Sequence, residues 1–181
     1  MTKRRRVVLA LAGTCVLLFL LFLRGSWIIA LTEEELAWCR QYQLQLPDGA
    51  EPTIDNILSY CVLKEPEDHK NVVQTSFTSA RLSQFVPECS QTEGSLYVHK
   101  ETGARQLSLF YSTHQGLEVN LLYFDDSPVQ LVIEERERDR CYVVGPGISS
   151  NVKWVNFRSR WYSLPFSATL RLPSWLGFLF P

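Results

Sequence analysis

Asp125 and Asp126 are adjacent carboxylates that follow an apolar stretch, the pairing in this 181-residue chain closest to metal chemistry. Two carboxylates at the end of a strand could hold a divalent cation beside substrate phosphates. Asp125-Asp126-Ser127-Pro128 is also ordinary turn chemistry, because Asp bonds its own backbone and Pro presets φ, and the turn is the favoured reading. The three histidines, His69, His99 and His114, stand in a charged loop, at a strand end and at a turn. Each is read as an ordinary surface residue. Ser112 lies near His114 in sequence, but catalytic partners are defined by spatial geometry. No Gly-rich phosphate loop, G-x-S-x-G elbow or H-E-x-x-H motif is present. No catalytic residue is assigned, no cofactor is expected, and the chain is not read as an enzyme.

The N-terminus carries the clearest physical signal. Lys3, Arg4, Arg5 and Arg6 precede an uncharged run over residues 7–23, then come Arg24 and a second apolar patch, Trp27-Ile28-Ile29-Ala30-Leu31. The first run is at the short end of what spans a bilayer, and including residues 27–31 makes it ample. A cleaved signal peptide has a shorter apolar core, and a transit peptide is amphipathic, so a retained type II signal anchor through residues 7–31 is expected. The basic tip then stays cytosolic, and the remainder faces an oxidising extracytoplasmic compartment such as the secretory pathway, a cell or virion surface, or the periplasm. A secreted ligand-binding domain released near Ala30 is the alternative.

A short type II protein with such an aspartate pair resembles the Golgi glycosyltransferases, and the resemblance implies that Asp125 and Asp126 bind a divalent metal. Those enzymes need a nucleotide-binding α/β sheet, which about 150 residues joined by hairpins do not supply. A small lumenal enzyme therefore stays an alternative.

Of five cysteines, Cys15 lies within the apolar run. Cys39, Cys61, Cys89 and Cys141 are even in number on the oxidising side, and the expected bridges are Cys39–Cys61 and Cys89–Cys141. No metal-ligand spacing such as C-x-x-C is present, so zinc is not expected. No N-x-S/T sequon occurs.

The elements divide the chain into four stretches: 1–31, 32–66, 67–172 and 173–181. Thr32 and Glu35 form a capping box that predicts a helix from about Glu33 to Leu44. Thr53 predicts a second helix with Ile54, Ile57, Leu58 and Cys61 on one face. Beyond Asn71 the period becomes two, through Leu96, Leu107–Tyr111, Leu117–Tyr123 and Val129–Ile133, with further strands near Cys141–Val144, Val152–Val155 and Phe166–Leu172. The fold class is α+β: an N-terminal transmembrane helix, a short helical pair, then mainly an antiparallel β-meander in a single sheet or small sandwich. Phe110, Leu122, Phe124 and Val132 fall on the nominally polar face, which predicts that this face is partly covered too, by the helices or by the C-terminal aromatics.

The formal net charge of −1 conceals a segregation. Residues 1–31 carry five basic side chains and no acid, residues 32–151 carry a net of −10, and residues 152–181 carry four basic side chains and no acid. The basic end is also aromatic, which makes Trp154, Arg158, Arg160, Trp161, Tyr162, Trp175, Phe178 and Phe180 the candidate membrane or partner contacts. Nucleic acid is not an expected partner in that compartment. The expectation is a membrane-anchored interaction, assembly or receptor-binding protein, with a protein partner or a second copy of itself.

Overall fold

Alternating apolar and polar residues fill the middle of the chain, and in the computed structural model they pair into one 11-stranded sheet. The structure describes residues 12–16, 26–86, 89–125, 127–146, 151–156 and 169–172. The strands are β1 (Ser26–Ala30), β2 (Val62–Leu63), β3 (Glu67–Asp68), β4 (Val72–Ser79), β5 (Cys89–His99), β6 (Arg105–Thr113), β7 (Leu117–Phe124), β8 (Ser127–Glu135), β9 (Arg140–Val144), β10 (Val152–Asn156) and β11 (Thr169–Leu172). Their spatial order is β11-β1-β10-β9-β8-β7-β6-β5-β4-β2, with β3 also on β4. From β4 to β10 the chain is an antiparallel meander, whereas β1 and β11 run parallel. The class is α+β with one sheet, not a sandwich.

One face of the sheet makes the core. Side chains alternate between faces along a strand, and Leu107, Leu109, Tyr111, Leu117, Val119, Leu121, Leu131 and Ile133 all turn to the buried side. Over them lie α1 (Glu33–Arg40), α2 (Ile54–Leu58) and the connecting chain, which contribute Cys39, Tyr42, Leu44, Leu46, Ile54 and Ile57. Each helix starts where a hydroxyl satisfies a free N–H: Thr32 and Glu35 complete the reciprocal capping box, and Thr53 accepts from Asn56. Helix α1 ends at Arg40 rather than Leu44 because Tyr42, Leu44 and Leu46 are buried at a period of two, an extended run laid on the sheet. The Tyr111 hydroxyl fixes that run by donating to the Tyr42 carbonyl at 2.5 Å.

On the opposite face Phe110, Leu122, Phe124 and Val132 stand half-buried, and most of the C-terminal aromatics expected to cover it lie outside the described residues. The four share that face with a polar cluster in which Gln74 donates to Ser95 and Ser108 donates to Asn120.

The N-terminal segment is also revised. Residues 12–16 are helical, but residues 26–30 form β1, not the end of a membrane span. Trp27-Ile28-Ile29 is aromatic and β-branched, a composition that suits a pleated, buried position as well as it suits lipid. Here it pairs with β10 on one side and β11 on the other, and Ile29 is fully buried. Among the described residues no helix is long and apolar enough to cross a membrane.

The register gives the sheet two distinct ends. Ser26 lies beside Asn156 and Thr169, and the same end holds the β6–β7 turn at 114–116 and the β8–β9 turn at 136–139. The other end holds Arg105, Phe124 and Asp125.

Candidate functional site

Two clefts flank the helical layer, one at each end of the sheet. The first, about 520 Å³, is lined by Thr53, Asp55, Arg105, Tyr123, Asp125 and their neighbours. Arg105 begins β6, Asp125 follows the last residue of β7, and Asp55 sits in the first turn of α2, so three distant elements meet in one ion cluster. The Arg105 Nε and Nη2 donate to Asp125 Oδ1 at 3.0 and 2.8 Å, and Nη1 donates to Asp55 Oδ1 at 2.6 Å. The backbone N–H of Arg105 adds a 3.0 Å bond to Asp125 Oδ2. Hydrogen bonds from this guanidinium hold both carboxyls below their ordinary range, and the two carboxylates in turn hold Arg105 more firmly charged.

This cluster bears directly on the aspartate pair. Both oxygens of Asp125 already accept from Arg105, so the carboxylate fixes the guanidinium that reaches Asp55 of α2. Asp126 lies outside the described residues. Among the described residues no group of three or more His, Cys, Asp or Glu is placed to hold a metal ion.

The second cleft, about 550 Å³, lies at the Ser26 end between α1 and the sheet. Glu34, Glu35, Glu135 and Glu137 line it with Arg138, Trp38 and Tyr142. Trp38 packs edge-on against both Tyr42 and Tyr142, with centroids 5.2 and 5.1 Å apart. The Glu35 of this cleft is held by Lys153, a buried lysine of β10 whose Nζ donates to Glu35 Oε1 at 2.7 Å. Burial pushes the Glu35 carboxyl up, but Lys153 and the Thr32 backbone N–H and hydroxyl more than offset it, and the net shift is downward. The cleft thus joins a rigid aromatic wall to an excess of carboxylates, chemistry that suits a cationic group.

Of the cysteines expected to pair, Cys39, Cys61 and Cys141 are free thiols in this structure. Cys89 packs against the core from β5, whereas Cys141 is on β9 and pairs with Glu134 and Trp154 on the opposite face. Four strand spacings separate β5 from β9, about 19 Å along the sheet, against the 4.4–6.8 Å between Cα atoms that a disulfide needs. Cys39 is fully buried in α1, and Cys61 donates its Sγ hydrogen to the Ile57 carbonyl at 3.2 Å. Burial pushes the thiols of Cys39, Cys61 and Cys141 up to about 12, 11 and 11.

Of the aromatic and basic candidates, Trp154 is described: it stands half-buried on the helix-free face, between Cys141 and Ile28 in register. Arg158, Arg160, Trp161, Tyr162, Trp175, Phe178 and Phe180 lie outside the described residues. Among the described residues, Asn156 of β10 and Thr169 of β11 both adjoin Ser26 of β1. Sequence reasoning missed the Arg105 cluster and the Lys153–Glu35 pair, whose members are 20, 50 and 118 residues apart. Comparison with protein-family models, with curated proteins and with solved structures returned no match.

Proposed function

We propose that this chain is a single-pass type II membrane protein that keeps its N-terminal anchor and uses its extracytoplasmic β domain to bind a protein partner, with no reaction of its own. The observation that carries this reading is the place of β1. Cleavage after Ala30 would delete a strand held on both sides by the sheet, and would take from β11 the strand it pairs with. Without that cleavage the basic tip and the apolar run of residues 7–23 stay joined to the folded domain. Those 17 residues then form the span, at the short end of the usual range, with Arg24 placed to snorkel. The basic and aromatic composition of residues 152–181 adds support, because such residues favour the membrane interface. The half-buried apolar residues of the helix-free face offer a surface for the partner.

The test is the intact mass of the mature protein, with alkaline extraction of its membranes and protease protection of its C-terminus. A full-length chain that resists extraction and is shielded on the cytosolic side is the expected result. A mature N-terminus near Leu31, or release at high pH, overturns the reading.

A further inference from the structure

The cleft at the Arg105 end contains a polar group that the fold leaves unsatisfied. Tyr123 of β7 lines it and is only 5% exposed, yet its hydroxyl makes no hydrogen bond among the described residues. Tyr111, on the same face of the sheet, shows the ordinary arrangement, with its hydroxyl bonded to the Tyr42 carbonyl. A buried hydroxyl is costly to leave unbonded, and phenylalanine would fill the same space without that cost. The backbone is irregular here as well. The β7–β8 register shifts between Leu122 and Phe124, so a bulge falls at Tyr123. Bulges re-aim a side chain or end strand pairing beside a binding site.

The surroundings set what would bond to that hydroxyl. At about 520 Å³ the cleft has the size of a small-ligand site. Ile54 and Val129 give it an apolar side, and Thr53, Asp55, Arg105 and Asp125 a polar one. An incoming cation competes with Arg105, which already bonds both aspartates. An incoming anion meets an excess of carboxylate, because Glu51 also lines the cleft. Hydrogen-bonding capacity nevertheless remains. The Asp55 side chain is 73% exposed, and Arg105 is the partner of both its oxygens, so lone pairs stay open to the cleft. Burial pushes the Tyr123 phenol upward and keeps it neutral.

We infer that this cleft binds a neutral polyhydroxylated ligand of monosaccharide or disaccharide size, which bonds the Tyr123 hydroxyl, donates to Asp55 and lays a C–H face on Ile54 and Val129. The site stands whether or not the chain is anchored.

Amide NMR of the full chain tests this, in nanodiscs or, should it not insert, in buffer. The probes are glucose, galactose, mannose, N-acetylglucosamine and lactose, with glucuronate and ethanolamine as charged counterparts, all at millimolar concentration. At least one neutral sugar is expected to shift the amides of Ile54, Asp55 and Arg105 saturably, with Trp38 in the other cleft unmoved and the charged probes silent. Tyr123→Phe should weaken that sugar about tenfold and leave the melting temperature unlowered, because the hydroxyl it removes has no partner within the fold. The inference is overturned if none of the sugars shifts these amides, if a charged probe does so instead, or if Tyr123→Phe binds as the wild type does. A lower melting temperature for Tyr123→Phe overturns it too, since the hydroxyl would then be bonded inside the protein.

Discussion

Lys153 of β10 and Glu35 of α1 meet at 2.7 Å across 118 residues of chain, and the lysine side chain is only 6% exposed. Glu35 does double duty, because its second oxygen accepts the Thr32 N–H at 3.0 Å in the capping box. The two ends of the pair are unequal, since Glu35 is about a quarter exposed and Lys153 is buried. Neutralising Glu35 takes a negative charge away from a buried ammonium, whereas removing Lys153 leaves a carboxylate that water can reach. Glu35→Gln is therefore expected to cost about 3 kcal/mol, and Lys153→Met clearly less. Urea unfolding of both variants measures the difference, and equal losses would count against the asymmetry.

Acid should act through the same pair. The folded-state value of Glu35 lies below its ordinary 4.5, so its contribution is complete above that pH and is lost as pH falls through the lower folded value. Asp55 and Asp125 are held down by Arg105 with the same sign. The stability of the wild type should decline below about pH 4.5. Glu35→Gln should flatten part of that decline and Arg105→Met another part. A wild-type curve that stays level through this range would contradict both assignments.

Asp125 makes a metal prediction possible. Its two oxygens already take three side-chain or backbone donors from Arg105. Millimolar Mg2+ or Mn2+ is expected to leave the melting temperature of the wild type unchanged. Asp125→Asn should lower that temperature slightly, because it weakens the brace between α2 and the sheet. A metal-induced rise that Asp125→Asn abolishes would restore the metal reading.

How much of this was legible beforehand follows from how local each signal is. The alternation in β6, β7 and β8 reads directly, because one face is buried and a shift of one residue would turn every apolar side chain outward. The Thr32–Glu35 box is equally local and is present as read. The sequence Tyr42-Gln43-Leu44-Gln45-Leu46 also alternates, and that signal was available to end α1 early. Strand β1 was not legible, since a five-residue apolar patch suits lipid and sheet alike and only its partners β10 and β11 decide. Strand β4 was obscure for the opposite reason: Val72–Ser79 is mostly polar, with Phe77 and Ser79 its buried members. The Arg105 cluster depends on three distant elements, which no spacing rule connects.

The thiols give a prediction about compartment chemistry. With Cys39, Cys61 and Cys141 free and raised to about 12, 11 and 11 by burial, little thiolate exists at neutral pH. Alkylation of these three in the folded protein should be slow and should become fast in denaturant. Reductant should leave the melting temperature unchanged. A fall in melting temperature with reductant would show bridges that this arrangement lacks.

The most sharply placed residue in the sheet is Gly94, opposite Phe77 in the β4–β5 register. A Cβ built there would lie deep inside contact distance of the Ser108 carbonyl oxygen and of the Phe77 ring. The ring is fully buried and fills the space that the glycine leaves open, and the carbonyl belongs to the neighbouring strand β6. Neither can retreat without loss, since moving the ring disturbs the core and moving the carbonyl strains β6. Gly94→Ala should therefore destabilise by about 1–3 kcal/mol through overpacking, although alanine is the gentlest substitution available. Phe77→Ala should cost about 3–5 kcal/mol through the cavity it opens. In the double variant the ring clash is gone while the carbonyl clash remains, so the combined loss should be less than the sum of the two. Urea midpoints for the three variants check this. Strict additivity would mean that Phe77 does not pack on Gly94, and a neutral Gly94→Ala would mean that β5 and β6 are further apart than this register places them.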